Sequence, residues 1–387
     1  MNKTLASISI VMACAASMPV LADSAQVQAR VLNGHDASKL SEELLLPWQA
    51  AWLSAPQSQN NDQVTSWCGA GVIDDHWLVT AAHCVSSDMS DQVVVGTHSI
   101  RNKQGDANNI DGKYLFRIDL KNSVVHPNYE ASNGYEHKLD NDIALIKVDR
   151  SMSDVAKPIR IATPQEQKDI NAEFEQTWNP TGYSKANLIA SGWGKHGPNF
   201  DQPNNLMVVK LGGIPMGKCN TDYTIGKDSH FVCADSNTPE LKKDVCKGDS
   251  GGPLVWQNPA HANDPDFGLR VIGVVSNGPL CQLKANGDQG AQTNGLYTEL
   301  SSYYGWIEQE TGIQLDNIQP TGYTVDPFKV TKDALPDGKE DNSSQGGNNG
   351  NTNQVESKQK SSGGGGSLPL SGLISLTALA LLRRKVK

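Results

Sequence analysis

Asp244-Val245-Cys246-Lys247-Gly248-Asp249-Ser250-Gly251-Gly252-Pro253 is the stretch from which this chain is best read. Glycines flanking Asp249-Ser250 let the backbone turn sharply and bring its own N–H groups close to a reacting oxygen. A serine nucleophile with a hole for a developing oxyanion needs that layout. By itself the run is also compatible with an ordinary tight turn, so the reading depends on what else the chain carries.

Two further segments supply it. Val79-Thr80-Ala81-Ala82-His83-Cys84 follows the apolar Trp77-Leu78, and Asp142 opens the strand-like run Asp142-Ile143-Ala144-Leu145-Ile146-Lys147-Val148. A serine hydroxyl is a poor nucleophile at neutral pH. It needs an imidazole to take its proton, and the imidazole needs a buried carboxylate to fix its tautomer. Of nine histidines, only His83 has a cysteine beside it and small residues before it. His35, His76, His98, His126, His137, His196, His230 and His261 read as surface or supporting groups. Base, carboxylate and nucleophile then follow in the order His83, Asp142, Ser250.

With Pro47-Trp48-Gln49 and Ser191-Gly192-Trp193-Gly194, these segments make five separated signatures. On them the chain resembles the trypsin/chymotrypsin-like serine proteases from about Val31 to about Thr311. The resemblance implies an all-β fold of two six-stranded antiparallel β-barrels with a short C-terminal helix. His83 and Asp142 would come from the first barrel and Ser250 from the second, meeting in the cleft between them. Composition says less: short alternating runs with abundant Gly and Asn are consistent with an all-β domain and nothing sharper.

The same resemblance assigns further residues. Gly248 and Ser250 would supply the oxyanion-hole N–H groups, and Ser276 would support Asp142 at the pocket wall. Asp244, six residues before the nucleophile, would form the floor of the specificity pocket, so that cleavage follows Arg or Lys. Gly278 and Gly295 would keep the pocket open to a long side chain. Standing next to Lys242 and Lys243, Asp244 also reads as a solvated surface charge. Asn277, where the family usually has tryptophan, and the long Cys281–Gly295 loop leave the extended substrate preference open. Seven cysteines include Cys14 in the amino-terminal apolar run, and the other six permit fifteen pairings. The resemblance selects Cys68–Cys84, Cys219–Cys233 and Cys246–Cys281. No two cysteines have C-x-x-C spacing, so no metal site is expected.

The amino-terminal apolar run, closing on Val20-Leu21-Ala22, reads as a signal peptide over 1–22. Residues 23–30 read as a propeptide. Cleavage after Arg30 would free the α-amino group of Val31 to pair with Asp249, as the resemblance implies. Val31-Leu32-Asn33-Gly34 departs from the family's usual Ile-Val-Gly-Gly, but Val31 suits a small apolar slot. The protease domain is expected over 31–312, with 313–367 a largely disordered linker. Residues from about Ile313 to Pro336 are expected to lead away from the protease surface. Leu368–Leu382 is a mildly apolar run closed by Arg383-Arg384-Lys385-Val386-Lys387, giving a 368–387 anchor segment. Behind Gly363–Gly366 it resembles the glycine-rich sorting signals of Gram-negative bacteria that a rhomboid-type intramembrane protease removes. Leu368-Pro369-Leu370-Ser371-Gly372 also resembles a sortase motif. These features place the protein on the outer surface of a Gram-negative cell, or released from it, after passage through the periplasm.

A formal net charge of −9 gives no sign of a nucleic-acid partner. Asp106-Ala107-Asn108-Asn109-Ile110-Asp111 is a conceivable calcium loop without standard ligand spacing, and no cofactor is expected. The reading is a secreted, disulfide-bonded serine endopeptidase, made as a zymogen. Its partners are protein or peptide substrates with Arg or Lys, an activating protease and the intramembrane sorting protease. The rival reading is a protease-shaped binding module without catalysis.

Overall fold

A computed structural model describes residues 31–54, 65–85, 89–101, 110–130, 140–195, 202–221, 230–278 and 293–335. All lie within the first of two compact units, Met1–Gln345; the second, Gly346–Lys387, is outside the described residues. The expected signal peptide, propeptide, calcium loop and tail, with Arg30 and Cys281, also fall outside them, Ile110 and Asp111 of the loop excepted. Among the described residues no helix is long and apolar enough to cross a membrane.

Short runs of β-branched and small apolar residues set the architecture, because such residues pack well on a pleated, buried surface. The chain opens on a two-residue strand, β1 (His35–Asp36), and one helical turn, α1 (Ala37–Leu40), whose N-cap is Asp36. Then come β2 (Gln49–Ser54), β3 (Ser66–Val72), β4 (Trp77–Thr80), β5 (Met89–Val95), β6 (Leu115–Arg117), β7 (Val124–Val125) and β8 (Ala144–Lys147). They pair antiparallel in the order β6-β5-β2-β3-β4-β8-β7, an open half-barrel. After β9 (Arg160–Ile161) and α2 (Pro164–Thr177) come β10 (Leu188–Gly192), β11 (Met207–Ile214), β12 (Phe231–Asp235), β13 (Pro253–Gln257), β14 (Leu269–Asn277) and β15 (Gly295–Glu299). These six pair in the order β11-β10-β13-β14-β15-β12, and β12 returns to β11 and closes the barrel. The short helix α3 (Tyr304–Thr311) follows and stops at Gly312, which takes φ 74°. The two-barrel, mainly β fold is therefore the one the sequence implies.

The sequence reading placed no helix between the barrels, yet α2 is there with a strong local cause. Thr163 Oγ1 accepts from the Glu166 amide at 3.1 Å and Glu166 Oε2 from the Thr163 amide at 2.9 Å, with Pro164 in the first turn. Ile170 and Phe174 bury α2 against the second barrel. Thr163-Pro164-Gln165-Glu166 is itself a helix-start signal in the sequence. Glu166 also accepts from Arg270 Nε at 2.9 Å, while Arg270 Nη1 reaches Asp266 Oδ2 at 2.9 Å. Burial alone would raise Glu166, but the Thr163 amide, Arg270 and Asn258 outweigh it and hold it below its usual range. Arg270→Met would leave Glu166 without its cation and Asp266 with only Arg160, whose Nη1 stands 3.9 Å away, at a cost of about 3–5 kcal/mol. Thermal unfolding at pH 7 should show that loss. Because Glu166 is depressed, its contribution exists above its unfolded value and disappears as pH falls through the folded one.

The segment after α3 corrects the sequence reading. Residues 313–335 do not lead away from the protease; they turn back across it. Leu315, Tyr323, Asp326 and Thr331 are buried. The Tyr323 ring sits 4.9 Å from that of Trp48, and its hydroxyl donates to the Pro158 carbonyl at 2.7 Å. Asp326 caps one turn, α4 (Pro327–Val330). Apolar residues spaced singly along a polar stretch gave no periodic signal, although each finds a place on a surface already built.

Candidate active site

β4 runs straight into Ala81 and a tight turn, Ala82–Cys84, that carries His83. The turn is pinned by the Cys68–Cys84 disulfide and by Thr80 Oγ1 donating to the Gly69 carbonyl at 2.8 Å. Asp142, fully buried just before β8, receives the His83 amide on Oδ1 at 2.8 Å and faces His83 Nδ1 with Oδ2 at 2.7 Å. Ser276 Oγ, from β14, donates to the same Oδ2 at 2.6 Å, and Thr298 Oγ1, from β15, to the Asp142 carbonyl at 2.8 Å. An ionised carboxylate only accepts, so these contacts put the proton on His83 Nδ1 and leave Nε2 as a base. Thr298 was not foreseen; nothing in its strand marks it before the barrels are docked.

Burial opposes charge on His83, but the Asp142 charge and hydrogen bond outweigh it and raise the imidazole above its ordinary 6.5. A base must be neutral, so kcat/KM should fall in acid with a midpoint above that value. Stability runs the other way: the charged His83–Asp142 pair contributes fully below the unfolded value and is lost as pH rises through the folded one. A pH–rate profile beside a pH–melting profile separates the two.

Ser250 lies on the loop before β13, and that loop docks onto the first barrel beside His83. Its carbonyl accepts from the Gly69 amide at 2.7 Å and lies 3.6 Å from Cys84 Sγ, a disulfide sulfur with no proton to give. Gly251 takes φ 76°, and a Cβ there would sit 2.0 Å from Thr80 Oγ1, so only glycine permits the docking. Among the described residues no hydrogen bond joins the Ser250 hydroxyl to the His83 ring. Such contacts commonly tighten only when substrate binds. Gly248, at φ 104°, turns the chain so that alternate amides face different ways. The Asp249 and Gly251 amides donate to the Cys246 and Val275 carbonyls at 2.9 and 2.7 Å. Those of Gly248 and Ser250 have no acceptor among the described residues, which leaves both donors available to an anion.

Asp244 is buried rather than solvated. Its Oδ1 accepts from the Val245 amide at 2.7 Å, and Oδ2 has no hydrogen-bond partner among the described residues. Added Cβ atoms at Gly295 and Gly278 would stand 3.4 and 4.0 Å from Oδ1, so both glycines border this carboxylate. Burial, and then the charge of Asp235, push Asp244 well above the usual carboxylate range. Buried Asp235 and Tyr297 were not singled out in the sequence, because their place behind the pocket comes from β12 and β15 pairing.

Asp249, completely buried, accepts from the Gly194 and Cys246 amides, each at 2.7 Å. A Cβ on Gly194 would lie 2.3 Å from Asp249 Oδ2, which explains the glycine after Trp193. Burial lifts Asp249 to about 6. Val31 is buried in one apolar cluster with Val245, and the Leu32 amide donates to the Asp244 carbonyl at 2.9 Å. Val31 takes φ 30°, a strained angle for a β-branched residue.

Cys219–Cys233 is a disulfide, and Cys246 is disulfide-bonded as well; Cys281, its expected partner, lies outside the described residues. Cys68, His83 and Cys84 cluster as metal ligands would, but the two sulfurs are joined to each other and offer no thiolate.

The sequence matches the trypsin family profile over residues 32–307. It is 30% identical to Trypsin-3 of Salmo salar, covering 62% of this chain and 81% of that protein. It is 29% identical to Coagulation factor IX of Cavia porcellus, over 72% of this chain and 80% of the relative. With Kallikrein-14 of Homo sapiens the identity is 28%, over 75% and 87% of the two chains.

Proposed function

The chain belongs to the trypsin family of serine proteases, and from that premise we propose that this endopeptidase cuts after Arg or Lys, is activated from a zymogen and is exported. The observation that carries the specificity is the buried Asp244 carboxylate, with one oxygen unpartnered among the described residues and glycines at its border. A guanidinium or ammonium would complete its hydrogen bonds and neutralise it.

The chemistry follows from the geometry. His83 Nε2 takes the Ser250 proton as Oγ attacks the scissile carbonyl, while Asp142 holds the imidazolium that forms. The carbonyl oxygen becomes an oxyanion facing the Gly248 and Ser250 amides. His83 then passes the proton to the leaving amine, which departs and leaves an acyl-enzyme. Water, deprotonated by His83, attacks the ester, and the acid product leaves with Ser250 reprotonated.

Activation rests on Asp249. A buried carboxylate without a counter-ion is costly, and a new ammonium on Val31 after cleavage at Arg30 would supply one. Burial of the Val31 side chain supports this reading. The Arg30→Gln precursor should stay inactive toward Arg-ended peptides, and active wild type should begin at Val31 on N-terminal sequencing. An amino group with a reference pKa of about 8, raised by pairing, loses its charge above that value, so activity should also fade in alkali. Active enzyme with another amino terminus would overturn the scheme.

The export reading rests on residues 1–22 and 368–387. Intact masses of cell-bound and released protein, compared in strains with and without the intramembrane protease, test surface display through a cleaved tail. The activating and sorting proteases, and protein substrates with Arg or Lys, are the partners this reading names.

A further inference from the structure

The segment beyond the family domain reaches Lys243, the residue before Asp244. The family match stops at residue 307, yet the chain continues past α3, anchors Tyr323 on Trp48, and brings Asp333 to Lys243. The Lys243 side chain is 0% exposed and that of Asp333 6%. Lys243 Nζ donates to Asp333 Oδ1 and to Asn237 Oδ1. Asn237 Nδ2 returns a bond to Asp333 Oδ2 at 2.7 Å. An ammonium buried this deeply is held in place by its counter-ion and hydrogen bonds, since without them burial is strongly unfavourable.

Three successive residues, Lys242, Lys243 and Asp244, are thus tied to two separate parts of the chain. The Lys242 carbonyl accepts from Asn33 Nδ2 at 2.5 Å. The Lys243 ammonium is held by Asp333. The Asp244 carbonyl accepts from the Leu32 amide at 2.9 Å. Residues next to the activation site therefore hold Lys242 and Asp244 while the appended segment holds Lys243 between them, and His35, on β1, lies within electrostatic reach of Asp333.

We infer that Asp333, through Lys243, is a positioning residue for Asp244, so that recognition of the substrate cation requires the segment 313–335. It does not touch substrate. It fixes the backbone from which the Asp244 carboxylate projects, and misplacing a recognition group by about 1 Å can cost about 100-fold in rate. Any removal of the tail that keeps the enzyme active must then cut beyond Asp333.

This rests on the Arg/Lys reading of Asp244, and the test keeps the two apart. Benzamidine, a cationic probe of the pocket, is titrated against processed full-length wild type, Asp333→Asn and Asp333→Glu, with KM and kcat for an Arg-ended peptide. Absence of benzamidine binding to wild type would defeat the pocket reading itself. With wild type binding, Asp333→Asn should raise Ki and KM about 10- to 100-fold while kcat stays within a few-fold, and Asp333→Glu should recover part of the loss. A variant with a lower melting temperature but unaltered Ki and KM would show a purely structural contact and overturn the inference. Should Asp333→Asn fail to fold, Asp333→Glu decides alone, since a carboxylate moved by one methylene must still weaken benzamidine if the position of Lys243 matters.

Discussion

Ser250→Ala, in otherwise processed protein, should lower kcat toward an Arg-ended chromogenic peptide by about 10⁶, and adding His83→Ala should lower it little further. Nucleophile and base act as one unit, so the second removal has nothing left to take away. Asp142→Asn should cost about 10⁴, a magnitude taken from other triad enzymes. Its cause here is specific. The amide could donate to His83 Nδ1 and thereby move the ring proton to Nε2, where a base is required. Asp142 also accepts from the His83 amide and from Ser276 Oγ, so asparagine cannot satisfy the same set. The binding-module reading makes the opposite forecast, with processed wild type itself no faster than Ser250→Ala. Steady-state kinetics on the four proteins distinguish them, and residual turnover within about 100-fold of wild type in Ser250→Ala would remove the triad from the mechanism.

The parts of this site legible from sequence were those set by short-range chemistry. Gly248, Gly251 and Gly194 stand where the backbone turns left-handed or where another chain segment leaves no room for a Cβ. Such demands admit one residue type and so leave a mark in a single sequence. Asp142 was legible only through its family context, because a buried acid before a strand looks like any turn residue until Ser276 and Thr298 are brought to it. The fold was legible for the same reason: motifs, not periodicity, named two barrels. What stayed hidden depends on long-range docking. Asp235 reaches the back of the pocket because β12 pairs with β15. Lys243 carries no mark of burial in the sequence, yet it is buried because Asp333, ninety residues on, is there to meet it. A charge whose counter-ion arrives from another part of the chain carries no local signature.

Asp244→Ser should reduce kcat/KM for Arg- and Lys-ended peptides by about 10⁴, the scale on which a site built for a polar group rejects a mismatch. In wild type the incoming cation meets a carboxylate with one oxygen unpartnered among the described residues. In the variant it would be desolvated without a counter-charge, so the loss should appear mainly in Arg and Lys substrates and leave Phe-ended peptides nearly unchanged. The same carboxylate is unfavourable in the empty pocket, since burial and the Asp235 charge raise it well above its usual range. A raised Asp takes up a proton as pH falls through its folded value, and that proton competes with the substrate cation. Benzamidine binding to wild type should therefore weaken in acid more steeply than an apolar ligand's, and Asp244→Ser should abolish the difference. Stability should move oppositely to activity: removing an unpaired buried charge raises the melting temperature of the unliganded variant. Saturating benzamidine should then stabilise wild type and not Asp244→Ser, because only a ligand that binds the folded state shifts unfolding. Equal stabilisation of both proteins would mean that the cation is held elsewhere, and the pocket would need a different floor.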